Sequence, residues 1–207
     1  MRTPGLFAVA LSALPGLAAA QAVNTLGPGD SQLDGKRIKP GRWKLEMMVT
    51  RDGQTQSSMH GEQEIRRVII DGKPALELVQ VFHSPRGTRT DTTRILAAGL
   101  TPISHRSYGM GASKELNFTG RIVSGSMASN GVSSVPFRKE TEQPTFDSAA
   151  LELVIAAAPL GAGFRARMPM YVHEQNGLVW HDIAVTGEES VDASGSAIPV
   201  WRVEVKT

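Results

Sequence analysis

Residues 144–174 read PTFDSAALELVIAAAPLGAGFRARMPMYVHE, and their reading decides the fold. They hold the one convincing helix signal of the chain, then a stop, then an alternating strand. Asp147 or Ser148 can cap a helix by offering a side-chain oxygen to the free N–H groups of its first turn. Leu151, Val154, Ile155 and Ala158 share one face at i, i+3, i+4 and i+7. The other faces carry Ala149, Ala150, Leu153, Ala156 and Ala157, with Glu152 the only charge. A helix apolar nearly all round must be buried on more than one side. Pro159 cannot continue it, and Gly161 and Gly163 release the chain. Beyond them Phe164, Ala166, Met168, Met170 and Val172 alternate with Arg165, Arg167, Pro169, Tyr171 and His173, the pattern of a strand with one apolar face.

Outward from this segment the chain is strands and turns. Upstream, Trp43, Leu45, Met47 and Val49 alternate with Arg42, Lys44, Glu46 and Met48. Turn signals at Asp52-Gly53, Asp71-Gly72, Ser84-Pro85-Arg86-Gly87 and Gly109-Met110-Gly111 punctuate further short strand patterns, as in an antiparallel meander. Downstream, Asn176-Gly177 predicts a type I′ hairpin, and the strand after it is answered by residues 200–205, VWRVEV. These elements predict a mainly β fold, a curled antiparallel sheet (half-barrel) with one buried α-helix against its concave face. A sheet with one apolar face needs cover, and a single segment is available to give it.

The first residues read as an address. Arg2, the apolar run 6–20 and the small-x-small site Ala20-Gln21-Ala22 describe a signal peptide over 1–22. The run is broken by Pro15-Gly16 and is shorter than the ~20 apolar residues a membrane span needs. Residues 23–41, rich in Gly, Pro, Asp and Lys, read as a flexible leader, and 42–207 as one β-rich domain. Export to a bacterial periplasm is the expectation, with no integral membrane segment after cleavage. The 207 residues include no cysteine, so an exported fold must stand without disulfides. Lys and Arg number 22 against 20 Asp and Glu, scattered rather than clustered, which argues against a nucleic-acid partner.

No stretch carries a recognisable catalytic, cofactor or metal motif, so none is assigned. The histidines, His60, His83, His105, His173 and His181, show no metal-ligand spacing. His173 and His181 could face each other across one hairpin, and Ser104-His105-Arg106 lies on a strand whose neighbours point to opposite faces. There is no G-x-S-x-G elbow or S-x-x-K pair. Trp43, Met47, Phe82, Tyr108, Phe118, Leu151, Ile155 and Met168 are candidates to line an apolar cavity under the helix, since Met-rich and aromatic hollows adapt to apolar ligands. Arg165, Arg167 and His173 form a candidate polar stripe for an anionic head group.

Residues 91–107 (DTTRILAAGLTPISHRS), 116–127 (LNFTGRIVSGSM), 144–174, 177–191 (GLVWHDIAVTGEESV) and 200–205 together resemble the exported bacterial proteins of the domain of unknown function 3108 family. Residues 146–160 and 185–189 carry the resemblance most specifically. It covers roughly 42–206 and implies an architecture similar to the LolA/LolB-like lipoprotein-carrier superfamily, a half-open barrel over a helix with an apolar cavity. It also implies a further hairpin after the strand at 200–205, which this sequence lacks. It implies no activity. The expected function is a non-enzymatic envelope protein that binds an apolar or lipid-like ligand. The competing readings are an envelope protein–protein interaction module and a hydrolase.

Overall fold

The computed structural model describes residues 24–51, 54–85, 87–129, 131–193 and 195–207; side chains at 46–51, 54–59 and 193 are outside that description. The expected signal peptide and the Asp52-Gly53 turn therefore lie outside the described residues. A short strand β1 (Asn24–Thr25) leads into a 3-10 turn at Gly35–Arg37. Eight strands then follow: β2 (Gly41–Arg51), β3 (Gln54–Ile70), β4 (Lys73–Ser84), β5 (Gly87–Leu96), β6 (Pro102–Gly109), β7 (Ala112–Thr119), β8 (Ile122–Ser129) and β9 (Val135–Glu140). Each pairs antiparallel with the next, and the sheet curls without closing into a barrel. After β10 (Phe146–Asp147) and a 3-10 turn comes the helix α1 (Leu151–Ala157). The chain continues through β11 (Arg165–Val172), β12 (Gly177–Ala193) and β13 (Ser196–Lys206).

Local chemistry accounts for the meander. Asp71 and Gly72 both take positive φ, as do Met110 and Gly111, which is the backbone a two-residue type I′ hairpin needs. The curl needs close strand approach on the concave face. A Cβ on Gly109 would come within 2.0 Å of the Thr88 carbonyl, and one on Gly125 within 1.8 Å of that of Glu115. Glycine inside a strand admits such an approach and bends the sheet.

The fold is mainly β with one short helix, as the sequence predicts. The cover over the concave face is nevertheless shared. A second sheet runs β1-β11-β12-β13, with β10 joined to β11, and both β1 and β10 pair with β11 in parallel. One core cluster unites Leu76, Leu78 and Ile95 of the large sheet with Leu153, Val154 and Ala157 of the helix and Met168 and Met170 of β11. Among the described residues no helix is long and apolar enough to cross a membrane.

Three local readings are corrected. Residues 24–41 are part of the fold rather than a leader, because Leu26, Leu33 and Ile38 are buried in that same cluster and β1 pairs with β11. Backbone bonds from Gly35 N to Ala97 O (2.9 Å) and from Asp34 N to Ala157 O (3.2 Å) fasten the segment across both sheet and helix. The turn at Asn176-Gly177 is longer than a type I′ hairpin. Residues 173–175 form a 3-10 turn, Asn176 takes the left-handed conformation at its end, and Val172 pairs with Gly177. Tyr171, placed on the polar side of its strand by alternation, is buried. Near its end β11 is covered on both faces, and Tyr171 packs with Leu116 and Val123 in a second small cluster.

Candidate functional site

Cross-strand partners share a face, so register alone assembles the concave surface. Gln63 pairs with Gln80, Gln80 with Asp91, Asp91 with Ser107, and Ser107 with Lys114. The result is a polar belt across five strands on the face that also supplies the core. One row nearer the core, Ile65, Leu78, Thr93, His105 and Leu116 follow in the same order. One row outward lie Gly61, Phe82, Arg89, Gly109 and Ala112.

The concave face is tied to the helical segment at two places, one from the inner row and one from the belt. His105 Nδ1 lies 2.8 Å from Asp147 Oδ2, both side chains buried, so Nδ1 carries the hydrogen and donates it to the carboxylate. The Thr93 hydroxyl reaches the same oxygen at 3.5 Å. Asp147 Oδ1 accepts from the backbone N–H of Ala149 (3.1 Å), capping the 3-10 turn that opens into α1. At the β3–β4 end of the belt, Gln80 Nε2 donates to Gln63 Oε1 at 2.9 Å and to Glu152 Oε1 at 3.4 Å. Burial raises the pKa of Glu152, an effect the neighbouring Gln63 amide partly offsets.

Two buried polar atoms lack a partner among the described residues, His105 Nε2 and Asp91 Oδ1. Asp91 Oδ2 is held by Arg89 through Nε (3.0 Å) and Nη2 (2.7 Å), and the guanidinium also lies over the Phe82 ring at 5.5 Å. Buried charge of this density is costly unless it is paired or used, and such clusters mark functional candidates.

Outward of these groups the concave face opens into a cleft of about 510 Å³. Its polar side is Arg89, Ser107, Lys114, His173 and Glu174, and its apolar side includes Met127, Val132 and Val135. The 3-10 turn that replaces the expected hairpin is what brings His173 and Glu174 to the rim. Lys114 is half-buried, and its side chain makes no hydrogen bond or ion pair among the described residues. Burial lowers its pKa, partly offset by the fields of Asp147, Glu174 and Asp91. Burial and the Lys114 charge likewise lower the pKa of His173.

The residues singled out from sequence do not gather around one cavity. Met168, Leu151 and Ile155 belong to or pack against the filled core beneath the helix. Phe82 is buried on the concave face, and Phe118 packs edge-on to Tyr171 with ring centroids 6.2 Å apart. Trp43 is 42% exposed at a rim, and Tyr108 is 44% exposed on the convex face, where its hydroxyl donates to Glu115. Met47 lies in β2, and its side chain is outside the described residues. Arg165 and Arg167 are exposed on β11, Arg167 pairing with Asp182 at 3.5 Å and lying over Trp180 at 4.8 Å. His173 stands apart from them, in the cleft. His181 pairs in register with Met168, several residues along the ladder from His173. No group of three metal-ligating side chains gathers among the described residues.

Sequence reasoning did not single out Lys114, Asp91 or the His105–Asp147 pair. The usable signal was period-two burial carried across consecutive hairpins, since correct turns would have aligned Asp91, Ser107 and Lys114.

Fold and site together define a curled antiparallel sheet whose concave face is apolar at the helix end and charged at the open end. The chain belongs to the family described as "Protein of unknown function (DUF3108)", whose model matches residues 47–207. No curated protein matches the chain, and no solved structure does.

Proposed function

We propose that this chain is an exported, non-enzymatic envelope protein that binds an apolar or lipid-like ligand in the concave cleft. The periplasm is the proposed compartment, and a lipoprotein-carrier-like architecture of the LolA/LolB kind is the proposed relation. The observation that supports the reading is the cleft itself. Val132 and Val135 stand 61% and 58% exposed along one side, facing a half-buried lysine whose side chain has no partner among the described residues. Apolar side chains left open beside a charge suit an amphipathic guest. The expected place for the ligand shifts accordingly. The core under α1 is filled, with Val154 and Ala157 fully buried, and the hollow of about 280 Å³ beside the helix at Trp43, Ile65 and Leu153 is smaller than the cleft of about 510 Å³ at the opposite end of the face. His105 is a poor general base, because Nε2 is buried where no substrate reaches it. Mass spectrometry of organic extracts from the purified protein is the test. Co-purifying amphiphiles at near-stoichiometric amounts are expected, and empty extracts together with no uptake of lipid probes would sink the reading.

One observation favours a second reading, an envelope interaction module. Ile198, Trp201 and Val205 are exposed along β13, which is the last strand in its sheet order. Crosslinking in intact cells that recovers only monomer would remove it.

A further inference from the structure

We infer that the cleft selects an amphiphile with a singly charged anionic head, taken as counter-ion by Lys114, and this rests on the ligand-binding reading above. The charge inventory decides the sign and the size of the head. Of the cations that line the cleft, Arg89 is already committed to Asp91 through two hydrogen bonds. His173 is shifted toward its neutral form by burial and by Lys114. That leaves one ammonium without a partner among the described residues. A neutral head would leave this half-buried charge unpaired, which costs free energy. A doubly charged head would bring two negative charges to one free cation, in the field of Asp91, Asp147 and Glu174, all of which act on Lys114. One negative charge is what the single ammonium without a direct partner can meet, and the surrounding carboxylates oppose a second.

The apolar part of the guest has an equally defined place. In register Lys114 pairs with Met127, and Met127 with Val135, so the apolar wall begins at the neighbouring strand and leads away from the ammonium. Head at Lys114 and chain along Met127, Val135 and Val132 is the orientation this arrangement gives. Carboxylate and phosphodiester heads share the required single charge.

Isothermal titration of the purified full chain would use sodium dodecanoate, dodecanol, dodecyl phosphate and lysophosphatidylglycerol, each below its aggregation concentration. Dodecanoate is expected to bind at least roughly tenfold more tightly than dodecanol, the worth of a charge-assisted hydrogen bond. The preference should disappear in Lys114→Gln and survive in Lys114→Arg, with unchanged circular dichroism showing that both variants fold. It should also fade as pH rises through the lysine's lowered pKa, since only the ammonium holds an anion. Lysophosphatidylglycerol binding as tightly as dodecanoate supports a lipid head group, and weaker binding supports a free carboxylate. Equal affinities for dodecanoate and dodecanol, a preference retained in Lys114→Gln, or tighter binding of dodecyl phosphate would each overturn the inference. Failure of all four to bind would instead remove the ligand-binding reading beneath it.

Discussion

Asp147 serves three partners with one carboxylate. It caps the turn before the helix with one oxygen and takes His105 and Thr93 on the other. Its removal should therefore cost more than a cap. A lost N-cap is worth about 1 kcal/mol, and each buried donor left without an acceptor, the His105 Nδ1–H and the Thr93 hydroxyl, adds about 1–3 kcal/mol. Urea denaturation of Asp147→Ala is expected to show a loss well above that of the cap alone. Asp147→Asn, which keeps an oxygen for the cap, should lose less. A loss near 1 kcal/mol in Asp147→Ala would mean that the histidine contact contributes little. Half of this residue's role was legible in the sequence. The cap is local and has a known signature, while its partner His105 is 42 residues away and sits on a strand whose register no local pattern fixes.

At the scale of the element, α1 shows how an apolar surface can hide its own orientation. Leu151, Val154, Ile155 and Ala158 satisfy the helical spacing, but so do Ala150, Leu153, Val154 and Ala157, and the second set is the one most fully buried. Two interleaved stripes that are both wholly apolar cannot be ranked by periodicity, and here the less hydrophobic one is the more deeply buried. Packing ranks them, because the helix is met by the large sheet on one side and by the N-terminal segment on another. Leu153→Ala should lower stability by about 2–5 kcal/mol, the usual cost of emptying a leucine site in a core. Ala156→Lys, on the exposed side, should stay within about 0.5 kcal/mol of the parent. Thermal unfolding of the two variants checks the orientation, and a reversed ranking would refute it. The strands were better served by sequence than the helix face was. Asp71-Gly72 fixed a hairpin by backbone chemistry alone, whereas Asn176-Gly177 misled because the 3-10 turn before it consumed the asparagine.

Across the whole molecule, composition misjudged one segment and hid the edge of one layer. Residues 24–41 are rich in turn formers, and the three large apolar side chains that anchor them follow no regular spacing. In the second sheet the antiparallel run of β11 to β13 was legible but its parallel edge was not, since β1 and β10 join a strand that no short connection reaches. These features also divide the molecule by the range of its contacts. β2 to β9 join only sequence neighbours, pairings that form quickly because little chain must be ordered to close each hairpin. The contact between Asn24 and Ala166 must wait for nearly the whole chain. Leu26→Ala should accordingly speed unfolding while leaving the refolding arm of a chevron plot nearly unchanged, a φ-value close to zero. A φ-value near one would place the N-terminal segment in the nucleus instead. If closure comes last, a newly made chain passes through a state in which the curled sheet stands with its apolar concave rows bare. In that interval the greatest hazard is premature association, so the rate at which residues 24–38 seal the core governs how much protein survives to fold.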